Sequence, residues 1–369
     1  MIESFSARSL AIPFRESFKH ASAARSVTQA VWVTATGEGI TGCGEGCPRE
    51  YVTGESLDTA QAFVAAHSAD WCKVIRDVSD LRHWVRSHTA EIDANPAAWA
   101  AVELAILDLF ARRRNVAIEA LLDLPPLAGR FTYTAVLGDA PPEVFGAQLR
   151  RYGQSGFRSF KIKLAGDAER DAAKVKLLQA AGIAPALVRA DANNLWPDAE
   201  VAAASLRALQ FRFFALEEPL RSGDYAGMAR LAGLLDCAII LDESVARPAQ
   251  LDSLSGPAER WIANIRVSKM GGLVRSLEFL AEARRRGVRV IVGAHVGETS
   301  VLTRAGLTVA AAAADRLVAQ EGAFGAHLLA HDVAEPPLMF GAGGILDADA
   351  LALAQRPGWG LGPLSIPEG

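Results

Sequence analysis

Cysteine is scarce in this sequence: Cys43, Cys47, Cys72 and Cys237 are the only four among 369 residues. Thiols so few and so scattered exclude a disulfide framework for a chain of this length and fit a reducing compartment. Cys43 and Cys47 lie close together, but no second pair and no His-x-x-x-His lies nearby, which argues against a structural zinc. Positive charge is not in excess either. With 38 Lys and Arg against 42 Asp and Glu the net charge is -4, so neither nucleic acid nor an anionic membrane surface is an expected partner. Long apolar runs are also missing. Val309 to Ala314 is far too short to span a bilayer, and Met1 to Phe14 carries Glu3 and Arg8 at strand-like alternation, unlike a signal peptide. The chain reads as a cytoplasmic protein whose substrate binds in a pocket.

Hydrophobic residues make up 50% of the chain, enough for a large core and for two domains. Residues 2–12, 28–36 and 41–45 read as strands of a β-meander, with a polar loop over residues 15–26 between the first two. From Ser56 to Leu122 the pattern is helical, clearest in the nearly all-apolar stretch from Ala97 to Phe110, which predicts a buried helix. Strands followed by helices make an α+β capping domain, residues 1–124. Leu124-Pro125-Pro126-Leu127 breaks the pattern. Beyond it short apolar strands alternate with amphipathic helices, the pattern of a parallel sheet with right-handed crossovers, through residues 125–335.

Within that region the short strand Phe160-Lys161-Ile162-Lys163-Leu164 places two lysines on one face of a segment that should be buried, a costly arrangement unless an anion meets them. Polar residues end the successive strands: Lys163, Asp191, Glu217, Asp242, Lys269 and His295, separated by 28, 26, 25, 27 and 26 positions. One unit of a (β/α)₈ barrel has about that length, since about 250 residues make eight. The spacing therefore predicts a barrel that gathers these residues around the mouth where such folds carry their active sites. An open doubly wound sheet would spread them along a line.

Asp191, Glu217 and Asp242 would converge from adjacent strands, and three carboxylates share a site only around a cation. Oxygen-only ligands select a hard ion, Mg²⁺, with Mn²⁺ as the alternative. Lys161 and Lys163 lie on one side of the acids and Lys269 on the other. Nearby positive charge lowers a lysine's pKa, and a neutral lysine can remove a proton. The reaction this arrangement suits is abstraction of the hydrogen α to a carboxylate, whose enolate needs a divalent ion.

Five motifs, Lys161-Ile162-Lys163, Asp191-Ala192-Asn193, Glu217-Glu218-Pro219, Asp242-Glu243-Ser244 and Lys269-Met270-Gly271-Gly272, resemble those of the enolase superfamily, in its muconate-lactonizing-enzyme subgroup. The resemblance covers nearly the whole chain, and includes Gly42-Cys43-Gly44-Glu45 and the Glu103 to Leu109 helix of the cap. It implies an α/β fold, a (β/α)7β TIM-type barrel with an α+β cap to which a C-terminal segment, 336–369, returns. Asp191, Glu217 and Asp242 would be metal ligands, Lys163 and Lys269 opposed acid/bases, and Lys161 the group that polarises the substrate carboxylate and helps keep Lys163 neutral. Glu243 would pair with Lys269, and Asn193 would support the metal site. The cap would select the substrate through loops near residues 15–26 and 49–54, making His20, Arg25 and Tyr51 specificity candidates.

His295 departs from the subgroup. It occupies the place of the mandelate racemase histidine, but the aspartate that would accompany it is replaced by Lys269, so His295 reads as a substrate-binding residue, supported by Glu298. No Asp-x-Asp stands near Glu321, where the dipeptide epimerases of the subgroup hold an amino group. The implied partners are a small carboxylate substrate and further copies of the chain in a homo-oligomer. Racemisation or epimerisation, cycloisomerisation, dehydration, o-succinylbenzoate synthesis and a ligand-binding barrel without turnover all remain compatible with these residues.

Overall fold

The computed structural model describes residues 1–20, 23–322 and 324–365, and only the backbone of residues 16–20, 23–25 and 326. The cap is built on a three-stranded antiparallel sheet with Ala30–Gly37 in the centre, between Ser4–Leu10 and Ile40–Gly46. Against it lies the helix Pro96–Arg114, buried from Pro96 to Ala111. Three alternate glycines make this contact possible. A Cβ on Gly42, Gly44 or Gly46 would come within 2.2, 2.1 and 1.9 Å of the carbonyl oxygens of Ala105, Ala101 and Ala97. Two residues of strand advance about as far as four of helix, so the glycine face matches one helix stripe turn by turn.

The polar stretch expected as a loop forms a second small sheet, the hairpin of Pro13–His20 and Ala23–Val27. Backbone pairing needs no apolar alternation, so hydrophobic patterning did not reveal it.

Eight parallel strands follow, in sequential order: Ala135–Leu137, Phe160–Lys163, Val188–Asp191, Ala215–Glu217, Ala238–Leu241, Trp261–Ile265, Arg289–Val292 and Leu317–Gln320. Thr134 N donates to Gln320 O at 2.8 Å, and a parallel bridge joins Tyr133 to Gln320, closing the first strand's entry onto the eighth. The fifth connection is made of 3₁₀ turns, Pro248–Ser253 and Ala258–Arg260, in place of an α-helix. Among the described residues no helix is long and apolar enough to cross a membrane.

The C-terminal segment first pairs Ile345–Asp347 with Arg130–Thr132, then reaches the cap. There Trp359 Nε1 donates to Cys43 O at 3.0 Å and Trp359 N to Asp108 Oδ1 at 3.0 Å. Cap and barrel are further joined by a buried ion pair, in which Arg304 Nη1 and Nη2 each lie 2.8 Å from Glu119. Arg304→Met would leave that carboxylate without its partner in a site closed to water. The expected cost is about 3–5 kcal/mol. Chemical denaturation measures it, and a loss below about 1 kcal/mol would contradict the role given to the pair.

A second joint is titratable. Glu45, fully buried, accepts from Thr299 N, Thr299 Oγ1 and Leu302 N at the start of the helix Ser300–Ala312. Burial raises its pKa from 4.5 to about 7, against those hydrogen bonds. The folded state thus holds the proton more tightly than the unfolded state, so the stabilisation is complete below pH 4.5 and disappears as the pH passes 7. The melting temperature is expected to fall over that interval, and to fall less in Glu45→Gln. Equal slopes in the two proteins would rule this joint out as a contributor.

Candidate active site

The second barrel strand buries Phe160 and Ile162 toward the helices and turns Lys161 and Lys163 into the barrel. Lys161 Nζ lies 3.0 Å from Glu217 Oε2 and 2.5 Å from Glu321 Oε2. Burial works to lower its pKa, but Glu217, Glu321 and Asp191 together outweigh it and hold the ammonium above its ordinary value. Lys163 Nζ meets Asp191 Oδ2 at 3.0 Å and Asn193 Oδ1 at 2.6 Å, so Asn193 supports a lysine as well as an acid. Asn193 N also donates to Asp191 Oδ1, at 3.2 Å.

Asp191 and Glu217 are the last residues of the third and fourth strands and stand in register, while Asp242 follows the fifth. All three are buried. Asp242 is held from behind by Glu218, whose carboxylate accepts from Asp242 N at 2.6 Å, Ser244 N at 2.8 Å and Ser244 Oγ at 2.7 Å. Burial raises the pKa of Glu218 to about 7.

Lys269 lies past the end of the sixth strand, on the single turn Val267–Met270. Its Nζ donates to Asp242 O at 2.6 Å, Asp242 Oδ1 at 3.0 Å and Asn264 O at 2.9 Å. The expected partner, Glu243, is not within ion-pairing range. Asp242 is, because the lysine points back along the barrel toward the end of the fifth strand. Burial first, and then the charge of Arg266, lowers the pKa of Lys269 to about 7. The turn ends in Gly271 and Gly272, both at positive φ, and a Cβ on Gly272 would strike Glu103 Oε1 at 2.4 Å. Glu103 occupies that space to accept from Val274 N at 3.0 Å, so a cap residue fixes the segment that carries Lys269.

His295 N donates to Glu298 Oε1 at 2.6 Å, and the ring Nδ1 lies 3.3 Å from the same oxygen. Both residues are buried, and burial raises the pKa of Glu298 to about 8. A cavity of about 400 Å³ is lined by Lys161, Lys163, Asp191, Asn193, Glu243, Arg266, His295 and Glu321, together with Tyr51 of the cap and Phe324. Glu217, Asp242, Lys269 and Glu298 are not part of the lining. The side chains of His20 and Arg25 lie outside the described residues.

Three charged residues of the site were not anticipated. Glu321 follows the eighth strand and ties together Lys161 and Arg189, the latter at 3.1 Å. Arg189 also donates to Thr134 Oγ1 at 2.7 Å. Arg266 follows the sixth strand and ion-pairs with Asp242. Spacing held the signal for Glu321, which comes 26 residues after His295, as 321 less 295. Arg189 stands two residues before Asp191, as Lys161 does before Lys163.

Asp191, Glu217 and Asp242 supply only carboxylate oxygens from three consecutive strands, a donor set that fits a hard divalent ion. Here each acid is met by an ammonium or guanidinium group instead, and among the described residues no three acidic, histidine or cysteine side chains cluster closely enough to hold a metal as they stand. The residues fit such an ion in kind, and each stands beside a neighbouring cation.

Residues 144–364 match the family model described as enolase C-terminal domain-like, and residues 4–123 the N-terminal domain of mandelate racemase / muconate lactonizing enzyme. The chain belongs to the enolase superfamily. Other members resemble it over most of their length. The L-Lys-D/L-Arg epimerase of Methylococcus capsulatus is 30% identical over 88% of each chain. The N-succinyl-L-Arg/Lys racemase of Bacillus cereus is 26% identical over 74% of each. Among solved structures, the Methylococcus capsulatus dipeptide epimerase complexed with Mg and the dipeptide L-Arg-D-Lys superposes with a TM-score of 0.83 at 27% identity. That match covers 98% of this enolase-superfamily chain and 99% of the other.

Proposed function

We propose that this chain is a Mg²⁺-dependent racemase or epimerase that moves the proton on the carbon α to a substrate carboxylate. What supports this reading is Lys163 on the cavity wall, with a second buried lysine, Lys269, behind the wall past the sixth strand. They come from the second and sixth strands, and each is hydrogen-bonded to an outer acid of the row Asp191, Glu217, Asp242. Two bases on opposite faces of one carbon can remove its proton on one side and return it on the other. A cycloisomerase needs only one of them. The names of the relatives, epimerases and racemases, favour the same choice.

Asp191, Glu217 and Asp242 would hold the ion, which when bound supplies positive charge opposite the substrate carboxylate as the α carbon loses its proton. Lys161, kept charged by Glu217 and Glu321, binds that carboxylate. Asn193 holds Lys163 in place, Asn264 O and Asp242 O hold Lys269, and the cap residue Tyr51 shares the cavity lining with His295.

The substrate is best read as an N-acyl amino acid that lacks the terminal ammonium group of a dipeptide. Glu321, the acid at the end of the eighth strand, is already engaged by Lys161 and Arg189, and Asp139 on the cavity wall is paired with Arg170 and Lys174. Neither is free to hold an ammonium group, which leaves Glu243 as the acid of the lining with an oxygen, Oε2, that has no hydrogen-bond partner among the described residues. Incubating the protein with Mg²⁺ in D₂O and a library of N-acyl amino acids and dipeptides is expected to give deuterium at the α carbon of an N-acyl amino acid. No exchange across the library would refute the reaction, and exchange confined to free dipeptides would refute the substrate class.

A further inference from the structure

Lys174, in the helix Ala168–Ala180, is 1% exposed and lies outside the cavity lining. Its Nζ donates to Lys163 O at 2.8 Å and to Asp171 Oδ1 at 3.0 Å, and stands 2.7 Å from Asp139 Oδ1. Three donors thus meet three acceptors, and two of those acceptors belong to residues of the cavity wall, Lys163 and Asp139. Where the ammonium meets Lys163 matters. The first barrel strand pairs with the second only as far as Leu137, opposite Ile162, and Lys163 stands one position further on. Backbone groups of successive residues point to opposite neighbours, and Leu164 N donates toward the third strand, to Asp191 O at 2.9 Å. The carbonyl of Lys163 therefore faces the first strand's side, just where that strand has stopped, and Lys174 supplies the donor the ladder lacks. Asp171 extends the support into the next turn, accepting from Ala165 N at 2.8 Å and Gly166 N at 3.0 Å. Burying an ammonium costs hydration that an apolar side chain in the same place does not lose, so stability alone does not account for a lysine here. Lys269 shares none of these contacts, being held by Asp242 and Asn264.

We propose that Lys174 is a positioning residue for one base of the pair: it fixes the backbone of Lys163, and with it the reach of the Lys163 amine toward one side of the α carbon, and leaves Lys269 unaffected. This inference rests on Lys163 serving as a base, as proposed above, and its test separates the two.

The measurement is the initial rate of α deuteration in D₂O with Mg²⁺, read by proton NMR on the N-acyl amino acid library divided into L and D pools. Lys174→Met is expected to slow one pool by about 10–10²-fold, the range for a reacting group displaced by about an ångström, and to leave the other within about twofold. The slowed pool should be the one that Lys163→Ala fails to exchange. A general loss of structure would slow both pools alike, so equal slowing, or none, would overturn the proposal. Asp171→Asn, which keeps Lys174 but weakens its hold, is expected to slow the same pool by a smaller factor, and it decides the matter if Lys174→Met does not fold. Amide hydrogen exchange needs no substrate. It is expected to become about tenfold faster at Ala165 and Gly166 in Lys174→Met and to stay unchanged over residues 261–270. Unchanged protection at Ala165 and Gly166 would overturn the positioning while leaving the reaction intact, whereas an unaltered protein that exchanges neither pool would overturn the reaction and this inference with it.

Discussion

Lys163→Ala and Lys269→Ala are each expected to lower the rate of racemisation by about 10²–10⁴-fold, the range in which a positioned acid or base contributes. The two losses should differ in kind. In the proposed reaction each lysine serves one side of the α carbon, so removing one blocks inversion but leaves the other able to remove the proton that points at it. Lys163→Ala should still exchange the α hydrogen of one enantiomer in D₂O, and Lys269→Ala that of the other, while neither interconverts them. Proton NMR of separate enantiomers reads both quantities in one experiment. Full inversion in both variants would show that neither lysine is a base. Exchange of the same enantiomer by both would show that they do not lie on opposite faces.

Barrel and site were legible in the sequence to the extent that charge interrupts apolar strands at a constant interval. Lys163, Asp191 and Glu217 each end a strand whose other residues are buried, and their spacing alone orders them around a barrel. Glu321 obeys the same interval but follows a weak strand, Leu317–Gln320, of which only Gln320 is fully buried, so nothing around it announces a strand end. Arg266 was hidden by Lys269 three residues later, since one cation after the sixth strand satisfied the pattern.

Pairing was harder to read than position. Glu243 is next to Asp242, and sequence could not decide which of them would meet Lys269, because that depends on where the short turn Val267–Met270 aims its side chains. The cap shows the converse. The alternation Gly42, Gly44, Gly46 is plain in the sequence, but its meaning appears only when Ala97, Ala101 and Ala105 are seen against it.

Removing divalent ions is expected to abolish turnover, by more than about 10³-fold, with Mg²⁺ or Mn²⁺ restoring it. The reason lies in charge. Loss of the α proton places a second negative charge on a substrate that already carries one, in a barrel interior where Asp191, Glu217 and Asp242 are all buried. Lys161, Lys163, Arg266 and Lys269 are each paired with one of the protein's own acids. Burial raises the pKa of Glu217 against the charge of Lys161 beside it. Asp242→Asn should therefore raise the Mg²⁺ concentration needed for half-maximal activity by at least about tenfold, and lower the maximal rate as well, because Lys269 loses its ion pair along with the ligand. Exhaustive chelation, checked by elemental analysis, that left turnover intact would require the enolate charge to be carried by protein cations alone.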